Sequence, residues 1–235
     1  MSPFNSLILA SIVWMLLHLG VSGTALRAHI VDAIGAGSFR IVFSLASIAV
    51  IYWLASSYGK AGSVRVLWTS PHWLTVACML LMLPALLLLV GSVTVPNPTM
   101  VGGKHALATN DAARGILRVT RHPMLWAFAI WAAAHLIMLG TLGGIVFFGA
   151  FLVVAMAGMP SLDAKIGKRD SQGWATFVQA TSILPFAAIV QGRNRFVFAE
   201  IGIWRIAVAV LAWFGLIALH PVVYGIPAWR MLVGG

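Results

Sequence analysis

Apolar residues run along this chain in six long blocks separated by short polar stretches, a period far longer than the turn of any amphipathic helix. The blocks fall at about Ser6–Val21, Phe39–Ser56, Leu74–Val93, Met124–Leu139, Ile145–Met159 and Ile201–Leu219. Each is nearly long enough, or long enough, to cross the hydrocarbon core as a helix. The third is almost wholly Leu, Met, Val and Ala until Val95-Pro-Asn-Pro-Thr99 stops it. Only Thr141 to Gly144 separates the fourth block from the fifth, so those two form an antiparallel pair. One long polar connection follows, SLDAKIGKRDSQGWATFVQATSILPFAAIVQGRNR, in which Trp174 to Ile183 reads as an amphipathic helix ended before Pro185. Arg27, His29 and Asp32 mark another interfacial connection, and Tyr52-Trp53, Tyr224 and Trp229 serve as aromatic anchors. The expected fold is all-α: a polytopic membrane bundle of about six transmembrane helices with amphipathic interfacial helices, one domain over residues 1–235.

Composition agrees, with 61% hydrophobic and only 9% charged residues. The net charge of +10 collects between the apolar blocks, where anionic lipid and membrane orientation account for it, and a nucleic-acid partner is not expected. With six spans, the first, third and fifth connections share one side. They hold Arg27, Lys104, Arg114, Arg118, Arg121, Lys165, Lys168, Arg169, Arg193 and Arg195, against Lys60, Arg65 and Arg230 opposite. The heavier side is expected in the cytoplasm and both termini outside. No basic region precedes the first block, which reads as a mature span. Cys78, the single cysteine, permits neither an intramolecular disulfide nor a thiolate cluster.

The richest stretch is ARGILRVTRHPMLWAFAIWAAAHLIMLG, residues 113–140. Arg114, Arg118 and Arg121 stand at i, i+4 and i+7, the spacing of one helical face lying among phosphates. Pro123 suits the first turn of the span that follows. His122 and His135 are thirteen residues apart, about 20 Å of rise and about 220° of rotation on a straight helix, so they do not share a metal. His18 and His135 approach the interior from separate helices at similar depth, as the two axial ligands of a haem iron must. Neutral imidazoles bonded to nearby carbonyls satisfy the same spacing, and both readings stand at this point. Arg118 and Arg121 suit haem propionates or a nucleotide, and equally anionic lipid; His122 suits a headgroup contact or a ligand-positioning role beside Arg121. Arg40, at the edge of a span, can snorkel to the interface. The five acidic residues Asp32, Asp111, Asp163, Asp170 and Glu200 read as lying outside the spans, so no paired-carboxylate set emerges, and neither does a Ser-His-Asp set or a phosphate loop. No catalytic residue is assigned.

The segments LLHLGVSG, FRIVFSLASIAV, GILRVTRHPMLWAFAIWAAAHLIMLG and TSILPFAAIVQGR together resemble the NnrU family of bacterial membrane proteins, itself similar to the plant and cyanobacterial 15-cis-zeta-carotene isomerases. The first resemblance implies a role connected with nitric oxide and denitrification. The second implies a haem b whose iron takes part in redox-controlled cis–trans isomerisation of a polyene, with a hydrophobic small molecule or nitric oxide as partner. By motif, His18 and His135 match the expected axial ligands, while His122 and His220 match shared positions. The isomerases carry a cysteine in the turn before the deep histidine where Ala132 stands here, so no thiolate is offered. Arg-His-Pro at the start of a span also resembles isoprenylcysteine and phospholipid methyltransferases that use S-adenosylmethionine, but Asp163 stands alone where those enzymes have paired glutamates. A non-catalytic membrane assembly factor is the third class.

Overall fold

The computed structural model describes residues 1–100, 102–108, 112–225 and 228, apart from the side chains of Lys104 and Ala108; Asp111, Trp229 and Arg230, named above, lie outside them. Helices account for nearly all regular structure, and among the described residues the only β-pairing outside them is an isolated bridge between Val66 and Thr141. Among the described residues, five helical segments are long and apolar enough to cross a membrane: Pro3–Val21, Ala36–Ala61, His72–Thr94, Leu142–Arg169 and Ile203–Tyr224. The expected fourth span is the apolar helix Pro123–Leu139, seventeen residues long. This is an all-α, multi-pass membrane protein.

Chain contacts divide it into two compact units, Met1–Cys78 with Ala132–Gly158, and Met79–Trp131 with Met159–Gly235. The first unit opens with α1 (Pro3–Met15), capped by the Ser2 hydroxyl accepting from the Asn5 N–H and led by Pro3 in the first turn. It continues as a π-helical segment over Leu16–Val21. A short exposed helix α2 (Leu26–Ile34) follows, and Gly35, at φ 82°, turns the chain into α3 (Ala36–Ala61). Polar side chains stitch α1 to α3: the Ser6 and Ser57 hydroxyls lie 2.9 Å apart, and Trp53 Nε1 donates to Ser6 Oγ at 2.9 Å. On α3, Ile41, Leu45, Ile48 and Tyr52 recur at helical spacing and are all more than half exposed, an apolar stripe whose partner is lipid.

The other described elements are α4 (His72–Thr94), a 3₁₀ turn over Gly103–Ala108, α5 (Ile116–Val119), α6 (Pro123–Leu139), α7 (Leu142–Arg169), α8 (Ser171–Ala180), α9 (Ala187–Val190), α10 (Phe198–Ile201) and α11 (Ile203–Tyr224). Between α6 and α7 stands Gly140 at φ 57°; a Cβ there would fall on the carbonyl oxygen of Trp68, and its own carbonyl accepts from the Leu67 N–H at 2.7 Å. The second unit is built on Leu88, Ile116, Leu117, Val119, Ala127, Ile166, Trp174, Phe177 and Ile201. Arg205 ties α11 to the end of α4, its Nε donating to Thr94 Oγ1 at 2.7 Å.

Two expectations are corrected here. The fifth span does not stop at Met159, because α7 carries Pro160 within it and runs on to Arg169, so Asp163 is a helical residue and not part of a loop. The amphipathic helix is α8, started by the Asp170 carboxylate accepting from the Gly173 N–H at 3.0 Å, with Trp174 and Phe177 buried in the core.

Candidate functional site

In the first unit, His18 sits within the π-helical segment, a rare geometry that recurs at functional positions. Its Nδ1 lies 3.0 Å from the carbonyl of Trp14, which can only accept, so Nδ1 carries the hydrogen and Nε2 keeps its lone pair. The ring rests 3.8 Å from the Trp14 ring and meets Phe43 edge-on at 5.3 Å. Trp14 is 7% exposed, and its indole Nε1 has no hydrogen-bond partner among the described residues. From Trp14 a series of ring contacts passes through Phe151 (4.9 Å), Phe147 (5.2 Å) and Phe148 (4.9 Å) to His135, which stacks on Phe148 at 4.7 Å. Both imidazoles therefore belong to one aromatic wall, to which α7 contributes the three phenylalanines.

The donor chemistry fits a haem. A metal-binding histidine ordinarily donates its second ring N–H to a carbonyl or carboxylate, as His18 does to Trp14. The buried indole N–H beside it is an orphan donor that a ligand with an acceptor atom would satisfy. Among the described residues no group of three or more His, Cys, Asp or Glu gathers to hold a bare ion. A porphyrin brings four equatorial nitrogens of its own and asks the protein only for axial ligands.

The second unit holds a buried ionic centre. The arginine stripe does not form one helical face: Gly115, at φ 59°, starts α5, and Thr120, fully extended at φ −155°, ends it after four residues. Arg118 grips Glu200 with two parallel bonds, Nε to Oε2 at 2.7 Å and Nη2 to Oε1 at 2.8 Å, and donates from Nη1 to Asn194 Oδ1 at 2.6 Å. The Gly115 N–H donates to the same carboxylate at 2.6 Å. Arg118, with that N–H, outweighs partial burial and holds the Glu200 carboxyl at about 2, below its ordinary 4.5.

Arg121 is 8% exposed and also paired, Nη2 with Asp163 Oδ2 at 2.6 Å and Nε with the same oxygen at 2.9 Å. His122 Nε2 donates to Asp163 Oδ1 at 2.6 Å, and its side chain is wholly buried, which removes the expected headgroup contact. Its Nδ1 has no partner among the described residues, an omission worth about 1–3 kcal/mol. The TSILPF run is sewn onto this corner: the Thr120 hydroxyl donates to the Ile183 carbonyl at 2.7 Å, Trp126 Nε1 to the same oxygen at 2.8 Å, and the Phe186 N–H to the Val119 carbonyl at 2.8 Å.

Of the residues singled out from sequence, His18 and His135 share the aromatic wall, while Arg118, Arg121 and His122 lie in the other unit, committed to carboxylates. The pair Arg118 and Arg121 is thus engaged within the protein, not extended to propionates or phosphates. Asp163, the one carboxylate a methyltransferase reading would offer to a cofactor amine, is already taken by Arg121 and His122. Arg40 is exposed and folds back on the Ala36 carbonyl at 3.2 Å, and His220 packs on Tyr224 at 4.7 Å. Trp14, Asp163, Asn194 and Glu200 were not foreseen as site residues. For Asp163 a signal existed: a lone carboxylate with arginine and histidine elsewhere in an apolar chain demands a partner.

A multi-pass helical membrane protein with two imidazoles on one run of aromatic rings in one unit and a buried Arg–His–Asp centre in the other is the class these features define. The sequence model described as NnrU protein matches residues 6–228, and the chain belongs to the NnrU family. It is 24% identical over 207 residues to the chloroplastic 15-cis-zeta-carotene isomerase of Arabidopsis thaliana, covering 82% of this chain and 52% of that protein. The maize enzyme of the same name is also 24% identical, over 203 residues, covering 80% of this chain and 51% of the other. The chain thus spans about half the length of the curated relatives it matches. No solved structure matches it.

Proposed function

We propose that this chain is a haem-b-binding, isomerase-like redox protein of the bacterial inner membrane, with both termini outside. The observation that carries the reading is the arrangement at His18, whose Nδ1 hydrogen is held by the Trp14 carbonyl while an unsatisfied indole N–H sits beside the ring. His18 and His135 would hold the iron, and Trp14 Nε1 would donate to an acceptor on the bound group or its ligand. Phe147, Phe148 and Phe151 exclude water from that wall and offer flat faces to an apolar molecule entering from lipid. When bound, a haem would supply one-electron redox chemistry at an iron able to interact with a small ligand or a double bond. The similarity to the plant isomerases supports an elongated unsaturated substrate. A role connected with nitric oxide and denitrification belongs to the same proposal, since nitric oxide is a small apolar ligand of haem iron.

The test is the haem content of the full chain purified in detergent from haem-replete cells, measured as the pyridine haemochrome. About one haem b per chain supports the reading, and a chain that folds and retains none refutes it.

A further inference from the structure

Beside the TSILPF run, within the unit that contains Asp163, a groove of about 510 Å³ is lined by Arg121, Gln179, Thr181, Leu184, Gln191 and Arg193. Its two guanidiniums differ in electrostatic balance. Arg121 is neutralised by Asp163. Arg193 donates from Nη1 to the carbonyls of Val178 and Thr181 at 3.2 and 2.9 Å, and from Nε and Nη2 to Gln191 Oε1 at 2.9 and 2.7 Å. All of these acceptors are neutral, so among the described residues no carboxylate balances its charge. The carbonyls at the end of α8 offset part of it through the helix dipole. Leu184 lines the groove, and Phe186 and Val190 adjoin its lining residues Ala187 and Gln191 in the chain. Leu184, Phe186 and Val190 are 60%, 50% and 85% exposed. Phe186, between groove-lining Leu184 and Ala187, adopts a left-handed backbone at φ 64°, a conformation that bulky side chains rarely take.

A cation without a carboxylate, set in a groove and bordered by exposed apolar side chains, is complementary to an amphiphile with an anionic head. We propose that this groove binds one anionic phospholipid, its phosphodiester against Arg193 and the Gln191 amide and its acyl chain along Leu184, Phe186 and Val190. The site is independent of any haem at His18.

Native mass spectrometry of the full chain in detergent, titrated separately with phosphatidylglycerol, phosphatidylcholine and inorganic phosphate, tests it. One phosphatidylglycerol should bind at about tenfold lower concentration than phosphatidylcholine, with no retention of inorganic phosphate. Arg193→Gln should weaken phosphatidylglycerol binding about fivefold, the contribution of one basic residue near an anionic surface. Because Arg193 also caps α8, Val190→Ser provides a second variant at an exposed position, expected to weaken the lipid with the melting temperature unchanged. Equal binding of the two lipids, or binding of inorganic phosphate as tight as that of phosphatidylglycerol, overturns the proposal. So does unaltered lipid binding in Val190→Ser together with a folded Arg193→Gln.

Discussion

His122 Nε2 donates to Asp163 Oδ1 across 2.6 Å, joining the residue just before α6 to a carboxylate in the C-terminal part of α7. Asp163 accepts at the same time from Arg121, so one carboxylate balances one guanidinium and fixes one imidazole. In so apolar a chain Asp163 is the group on which the other two depend, since among the described residues it alone carries the charge that balances Arg121 and accepts from His122, while Arg121 Nη1 adds only a long bond to the Thr181 carbonyl at 3.4 Å.

Removing the carboxylate is therefore expected to be the costliest change at this centre. Asp163→Ala leaves Arg121 charged and buried, at a cost of about 3–5 kcal/mol, enough to lower the melting temperature in detergent by many degrees or to abolish expression. His122→Gln keeps an N–H donor at the position of Nε2 and removes the unsatisfied Nδ1. It should cost about 1 kcal/mol or less, and a loss as large as that of Asp163→Ala would show that the imidazole does more than meet Asp163.

Glu200 gives a pH dependence with a definite sign. Its carboxyl is at about 2 in the fold and ordinarily at 4.5, so its stabilisation is complete above pH about 4.5 and is lost as pH falls towards about 2. Glu200→Gln should flatten that part of the stability profile while lowering stability at pH 7 by about 1–2 kcal/mol, discounted for partial exposure of the pair. An acid limb of unchanged steepness in the variant would assign it to other carboxylates.

Trp14→Phe removes the orphan N–H and keeps an aromatic ring. Stability without a bound group should hold or improve by about 1 kcal/mol, since an unsatisfied buried donor is removed. If a haem is held at His18 as proposed, its absorption spectrum or reduction potential should shift when that N–H meets the group or its ligand. An identical spectrum and potential would leave the indole with a packing role only.

Gly140→Ala combines a left-handed backbone with a Cβ placed on the Trp68 carbonyl oxygen. A loss of at least about 2 kcal/mol is expected. A melting temperature equal to the wild type would mean that the turn between α6 and α7 relaxes freely.

The spans were legible because apolar blocks of this length have one solution in a bilayer, and the helices differ from the expected blocks mainly by a few residues at their ends. What sequence could not settle was where helices stop in polar territory. Arg114, Arg118 and Arg121 have ideal helical spacing, yet Glu200 and Asp163, far away in sequence, draw Arg118 and Arg121 in different directions, and an extended Thr120 lets them diverge. Met159-Pro160 looked like an end, but a proline inside a helix forfeits a single backbone bond, and Ile166 buried in the core favours carrying the helix on to Arg169. His18 and His135 were visible as ionisable groups in apolar blocks. The orphan indole of Trp14 was not, since only the fold shows which polar atoms lack partners.

The most direct measurement is the dithionite-reduced minus oxidised absorption spectrum of the purified chain, taken for the wild type and for His18→Ala, His135→Ala and His72→Ala. Axial ligation by the first two histidines predicts a Soret band and reduced α-band in the wild type and in His72→Ala, and their collapse in both of the other variants. The same spectrum in all three variants, or no haem signal in a folded wild-type chain, contradicts it.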